Sequence, residues 1–321
     1  MKYLFGQGAA APGTDINSID SGVYQFGTYA PKSENAMFDT SIDYDTIVSS
    51  SLGSTSTLAS FGNNPATAIP FGPIGLVNLI PLYLILGNYD EGDKKILKYT
   101  YGTAKPNIDI YEEVSDAGNT EKYYVADCEV SSLKLHWELG SSWTAVGTLM
   151  GCAHGIYTGV DAVDNGLPVD AQGTPVVVDS DFDTCESPLW VAHALALQSM
   201  DINISTPIFG NYGNDGKFRT LNSQVPISGT ITFKILGQDS TLRADLGGTE
   251  RAMTFTMGKS VNDHAAAFTL SNCGLFSYRP TGKENNSRMI YECRATFEDI
   301  YAVLSGTNPI DPTTFYWVSQ A

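Results

Sequence analysis

Apolar and polar positions alternate along much of this chain, and the alternation predicts extended strands before composition is considered. In DCEVSSLKLHWELGSSWTAVGTLMGC, residues 127–152, Leu133, Leu135, Trp137 and Leu139 share one face, while Lys134, His136 and Glu138 share the other. Gly140, Ser141 and Ser142 supply the turn, so the stretch predicts a two-faced hairpin. The same period recurs in KILKYTYG, NIDIYEEV, EKYYVADCEV and DINIST. PISGTITFKILG sets Ile227, Ile231, Phe233 and Ile235 on one side, and AMTFTMG sets Met253, Phe255 and Met257 against Thr254 and Thr256. In SRMIYECRATFED, Met289, Tyr291, Cys293, Ala295 and Phe297 oppose Arg288, Glu292, Arg294 and Glu298. Strands of this kind cover a core with one face and meet water with the other.

One segment, AIPFGPIGLVNLIPLYLILG, is apolar throughout. Its length suits a membrane, but Pro70, Pro73 and Pro81 interrupt it, so it predicts a buried segment ending in a short helix near residues 76–87. Residues 1–60 lack a sustained period and read as an N-terminal arm with the first strands, one of them around VYQFGTYA. Residues 61–160 form a first half, 161–195 an acidic Gly/Pro-rich loop or linker, 196–305 a second half and 306–321 a C-terminal arm. Each half runs through an early strand, a polar stretch, an apolar segment of helical potential and a closing hairpin. That shared order predicts a mainly β fold of two tandem related halves with short helices and long loops.

Composition agrees. The 321 residues are 42% hydrophobic and 17% charged, with 31 Gly, a balance of β-rich globular chains rather than disordered ones. The net charge of −17 argues against a surface that grips phosphates, which needs clustered Lys and Arg. The excess is uneven: residues 201–321 hold 11 acids and 10 bases, and residues 1–200 hold the other 24 and 8. The N-terminus, MKYLFGQGAAAPG, has no apolar run of secretory type, so export by that route is not expected. Cys128, Cys152, Cys185, Cys273 and Cys293 are odd in number and show no CxxC spacing, which suits free thiols in a reducing compartment.

Candidate chemistry is sparse. None of His136, His154, His193 and His264 lies in a nucleophile context such as GxSxG, and a structural role is the simpler reading of each. In DSDFDTCE, Asp179, Asp181 and Asp183 are spaced like the start of a calcium loop, but Thr184 stands where that loop needs Gly and Trp190 where it needs Glu. A solvated acidic loop and a metal site both remain open there. Glu112 and Glu113 are adjacent and in a strand point to opposite faces, which does not suit a glycosidase pair. Asn203-Ile204-Ser205 and Asn285-Asn286-Ser287 match the glycosylation sequon, and no phosphate-binding Gly loop or HExxH is present. These residues do not call for an enzyme or a cofactor.

The order KPNIDIYEEV, KYYVADCEVSSLKLHWELGSSWTAVGTLMG, a long loop, DINIST and SGTITFKILG resembles the major tail proteins, or tail tube proteins, of tailed bacteriophages and related archaeal tailed viruses. The family's hairpin pattern matches here at Cys128, Val130, Ser132, Leu133, Leu135, Gly140 and Gly151, and the resemblance covers roughly residues 97–300. The acidic connection is longer than the family's usual one. The resemblance implies a β-barrel or sandwich subunit of the virion tail, assembled in the host cytoplasm, stacking in rings and contacting other tail proteins, with no membrane and no cofactor. A ring also removes exposed strand edges, because neighbours can pair them. The polar faces bearing Lys134, His136, Glu138, Arg288, Glu292 and Arg294 are then candidates for the channel wall, or else ordinary exterior surface. A net-acidic wall would let double-stranded DNA pass without tight binding. Tandem halves imply trimeric rings with pseudo-sixfold symmetry, and a single elaborated domain implies hexamers. Phe315, Tyr316 and Trp317 are candidates for inter-subunit contact, or for packing on their own domain. The alternative function is an exported β-sandwich binding module or surface-layer protein.

Overall fold

A computed structural model describes residues 2–7, 46–49, 58–61, 67–76, 79–87, 89–90, 96–98, 105, 108–116, 119–151, 153–156, 182–206, 208–212, 218–222, 227–259, 265–284 and 288–305. The first half, taken together with the N-terminal arm, contains β1 (Lys2–Gln7), β2 (Thr46–Ser49), β3 (Leu58–Phe61), β4 (Thr67–Gly75), α1 (Ile80–Leu86), β5 (Tyr89–Asp90) and β6 (Ile96–Lys98). It continues with β7 (Ile108–Asp116), β8 (Asn119–Glu138), β9 (Thr144–Gly151) and β10 (Ala153–Ile156). The second half contains β11 (Cys185–Trp190), β12 (His193–Ala194), β13 (Leu197–Ser205), β14 (Phe209–Tyr212), β15 (Phe218–Asn222) and β16 (Ser228–Leu236). It ends with α2 (Ser240–Ala244), β17 (Arg251–Met257), β18 (Ala265–Glu284), β19 (Arg288–Phe297) and β20 (Asp299–Ser305). The fold is mainly β.

Helix α1 lies within the predicted window. Pro81 sits in its first turn, where a missing N–H costs nothing, and Gly87 ends it at φ +78° with its N–H on the Tyr83 carbonyl. Leu82, Tyr83, Leu84, Ile85 and Leu86 are all buried, so the helix is apolar all round because it is enclosed, against β8 and β6.

Among the described residues, sixteen strands join one antiparallel sheet, which does not close on itself. Its limbs are set by two 20-residue strands that change partners halfway. The first half of β8 lies between β7 and β10, and its second half between β9 and β13. The first half of β18 lies between β17 and β20, and its second half pairs with β19. One limb therefore runs β4, β9, β8, β13, β16, β19, β18, and another runs β5, β6, β20, β18, β17, β11, β12. Their apolar faces meet: Trp143 stacks on Phe255 at 5.8 Å, and Trp190 lies 6.2 Å from Phe233. Buried residues of both halves form one core.

The two halves repeat each other in pairing as well as order. Strand β4 pairs with β9 as β16 pairs with β19, and a short helix follows each. β10 returns to the first half of β8 as β20 returns to that of β18, and β1 pairs with β7 as β11 pairs with β17. The hairpin β2–β3 precedes β4 as β14–β15 precedes β16. Even the bulges correspond: Ser131 is the extra residue in β8 and Phe276 in β18, each three positions after a buried cysteine, Cys128 and Cys273.

Residues 185–190 of the expected 161–195 loop form β11, and Phe182 and Trp190 are buried, because their side chains fill the core beneath the second limb. Residues 157–181, VYQFGTYA and Phe315, Tyr316 and Trp317 lie outside the described residues.

Candidate functional site

The six candidate wall residues come together on one surface. Alternation puts Leu133, Leu135 and Trp137 of β8 into the core and turns Lys134, His136 and Glu138 outward. The antiparallel registers then align these with outward residues of every neighbouring strand. One row runs Thr144, His136, Asp201, Thr232, Arg294, Ser277. A second runs Val146, Lys134, Asn203, Thr230, Thr296, Gly274, and a third Glu138, Ser199, Lys234, Glu292, Arg279. Arg288 lies at the start of β19 on the same side. Each full row crosses six strands, roughly 24 Å at about 4.8 Å between neighbours.

Asp201 holds Lys134 at 3.0 Å and His136 Nδ1 at 2.7 Å. Glu292 accepts from Arg279 and Arg294, each at 2.9 Å. Burial pushes the Glu292 carboxyl up, but the hydrogen bonds and charges of the two arginines outweigh it and hold the group below its ordinary range. Asn203 donates to the Thr230 hydroxyl at 3.3 Å. Within these strands Lys134, Lys234, Arg279, Arg288 and Arg294 face Glu138, Asp201 and Glu292.

The described residues of this face are not net acidic by themselves. Among the described residues the face carries slightly more bases than acids, together with many hydroxyls. An Arg already held by a carboxylate has less charge to offer a polyanion.

Behind this face lies a buried polar contact between the halves. Thr206, at the end of β13, donates its N–H to the Ser131 carbonyl at 2.9 Å and its hydroxyl to the Val130 carbonyl at 3.3 Å. Lys105 Nζ donates to the same Val130 oxygen at 3.3 Å and to the Thr206 hydroxyl. Burial drives the Lys105 amine down to about 8, against an opposing pull from Glu129.

His193 and two acids of the second half have structural partners. His193 pairs with Asp239 at 2.6 Å, and Asp239 caps α2 by accepting from the Thr241 and Leu242 N–H groups. Asp245 accepts from Trp190 Nε1 at 2.9 Å and from Arg251 at 3.0 Å. Burial pushes the Cys185 and Cys293 thiols up to about 12 and Cys273 to about 11, so none of these three is a ready nucleophile. Among the described residues no His, Cys, Asp and Glu group is placed to hold a metal; Asp179 and Asp181 lie outside them. No described helix is long and apolar enough to cross a membrane.

Asp201, Asn203, Thr230, Thr232, Lys234 and Arg279 also belong to the face, and none of them was a wall candidate from sequence, where Asn203 stood out only in a sequon. The alternation in DINIST and GTITFKI was their signal, but only the registers show that they share a surface with Lys134 and Glu292. No protein-family model and no curated protein matches this chain.

Proposed function

We propose that this chain is a virion structural protein, a tail tube subunit that stacks in rings around the channel for genome ejection. The observation that carries the reading is the unbroken, charge-paired polar face running from β9 to β18, backed on its other side by a continuous core. Such a face suits a wall that a polyanion slides past. The residues assigned to it are Lys134, His136, Glu138, Arg288, Glu292 and Arg294, joined by Asp201, Asn203, Thr230, Thr232, Lys234 and Arg279.

Size favours three copies per ring. The limb contributes β4, β9, β8, β13, β16, β19 and β18, so three copies supply about 21 strands. At about 4.8 Å per strand this gives a backbone diameter of roughly 32 Å, or about 40 Å with the usual strand tilt. Side chains narrow that to a bore near the width of a double helix, about 20 Å. Six copies would double the diameter and leave the wall far from the DNA. The pairing repeat points the same way, since two like units per chain give a trimer pseudo-sixfold symmetry.

Negative-stain microscopy and native mass spectrometry of the purified chain test the reading. Rings or tubes with threefold mass increments are expected. A chain that stays monomeric at high concentration across a range of salt favours the exported binding-module reading and overturns this one.

A further inference from the structure

The two long strands differ in one respect that bears on how rings close. Among the described residues, the second half of β8 is flanked by β9 and β13, whereas the second half of β18 has only β19. At the other end of the same limb, β4 has only β9, whereas its counterpart β16 has both β19 and β13. Among the described residues these two edges are open, whereas their counterparts in β8 and β16 are joined through β13.

We propose that the β18 edge from Gly274 to Arg279 docks on the β4 side of a second copy, repeating between chains the junction that β8 and β13 make within one. The proposal rests on the ring reading and names its interface. Phe276 marks the spot. It is the bulge residue of β18 and is 55% exposed, a large apolar side chain left in water. At the matching bulge of β8, the carbonyls of Val130 and Ser131 accept from Thr206, so the same position within the chain is covered by the second half. The contact is head-to-tail, which closes into a ring when the rotation between copies permits.

The stretch ends where it does for a reason. Pro280 has no N–H to offer, and a second bulge at Thr281 follows it. A bare edge through Glu284 would accept any strand; Pro280 restricts pairing to the residues before it.

The test uses the full chain. Phe276→Asp should raise the protein concentration needed for ring formation by roughly tenfold or more while leaving the thermal melt of the monomer unchanged. Leu246→Asp, at another exposed apolar residue, should leave assembly unaltered. Hydrogen exchange on the wild type provides a second readout: amides of residues 274–279 should become protected on assembly, and those after Pro280 should not. Wild-type rings with no protection there, or rings of Phe276→Asp forming at wild-type concentration, overturn the interface and leave the ring reading standing. A wild type that never forms rings overturns both.

Discussion

The second halves of β8 and β18 share length, bulge position and a buried cysteine before the bulge, yet one is an interior strand and the other an edge. Their residues record the difference. In β8 the positions after the bulge read Ser132, Leu133, Lys134, Leu135, with no break in the ladder. In β18 they read Ser277, Tyr278, Arg279, Pro280, and the ladder is interrupted by the proline and a second bulge. An interior strand must satisfy partners on both sides, so it cannot spare an N–H. An edge strand can, and gains protection against unwanted pairing by doing so.

The largest expected effects come from the core that the two regions share. Trp143 stacks on Trp137 and Phe255, and Trp190 packs on Phe233 and donates to Asp245. Trp143→Ala and Trp190→Ala should each lower stability by about 3–5 kcal/mol in denaturant titration. If one were lost without effect, the halves would not be joined by a common core.

A paired glycine test follows. Gly147 of β9 faces Phe71 of β4, and Gly229 of β16 faces Phe297 of β19, so each half contains a glycine beneath a cross-strand ring. A methyl at Gly147 would come within 2.7 Å of the Ser132 carbonyl, and one at Gly229 would crowd the Phe297 ring and the Asn203 carbonyl. Gly147→Ala and Gly229→Ala should each cost about 2–3 kcal/mol, because a backbone oxygen in a ladder cannot retreat cheaply. Midpoints unchanged from wild type would mean that the strand pairs are looser than their registers imply.

Lys105 sharpens the comparison at the junction itself. Its folded pKa of about 8 lies below the ordinary 10.5. Between these values the unfolded chain keeps a proton that the folded chain has released, so stability rises with pH across that window. Below about 8 the folded chain carries the desolvation penalty in full. Relative to Lys105→Met, the wild type should gain roughly 1–3 kcal/mol between pH 8 and 10.5. Parallel pH profiles would place the amine in water.

The smallest effect on stability belongs to the polar face, where its functional effect is expected to be largest. Glu292→Gln removes the partner of Arg279 and Arg294, exposed pairs each worth less than about 1 kcal/mol. Assembled tubes of this variant should retain double-stranded DNA at low salt and release it as salt rises, in a filter-binding assay where wild-type tubes retain little. Equal retention by both would detach the face from the channel.

Much of the fold was legible in the chain. Alternation placed Leu133, Leu135, Trp137, Ile231, Phe233, Met253 and Phe255 in the core, and all are buried, because a strand packed on one face has no other solution for those side chains. Pro81 and Gly87 bracketed α1 by local geometry alone. The strand β11 was hidden within an acidic stretch, since CESPLW has little alternation and is extended by pairing with β17 rather than by its own pattern. The face was legible only in fragments: each strand announces which residues point outward, and none announces its neighbour.

Sequence by itself determined which side chains seek water and which avoid it, since that depends on each residue's own chemistry and a period of two. It also determined that the chain as a whole carries −17. Tertiary structure alone decided that Lys134 meets Asp201, that Arg279 joins Arg294 on Glu292, and that these pairs share one surface. Register sets which charges become neighbours, and register between strands far apart in the chain is fixed by how the whole core packs, not by any local run of residues.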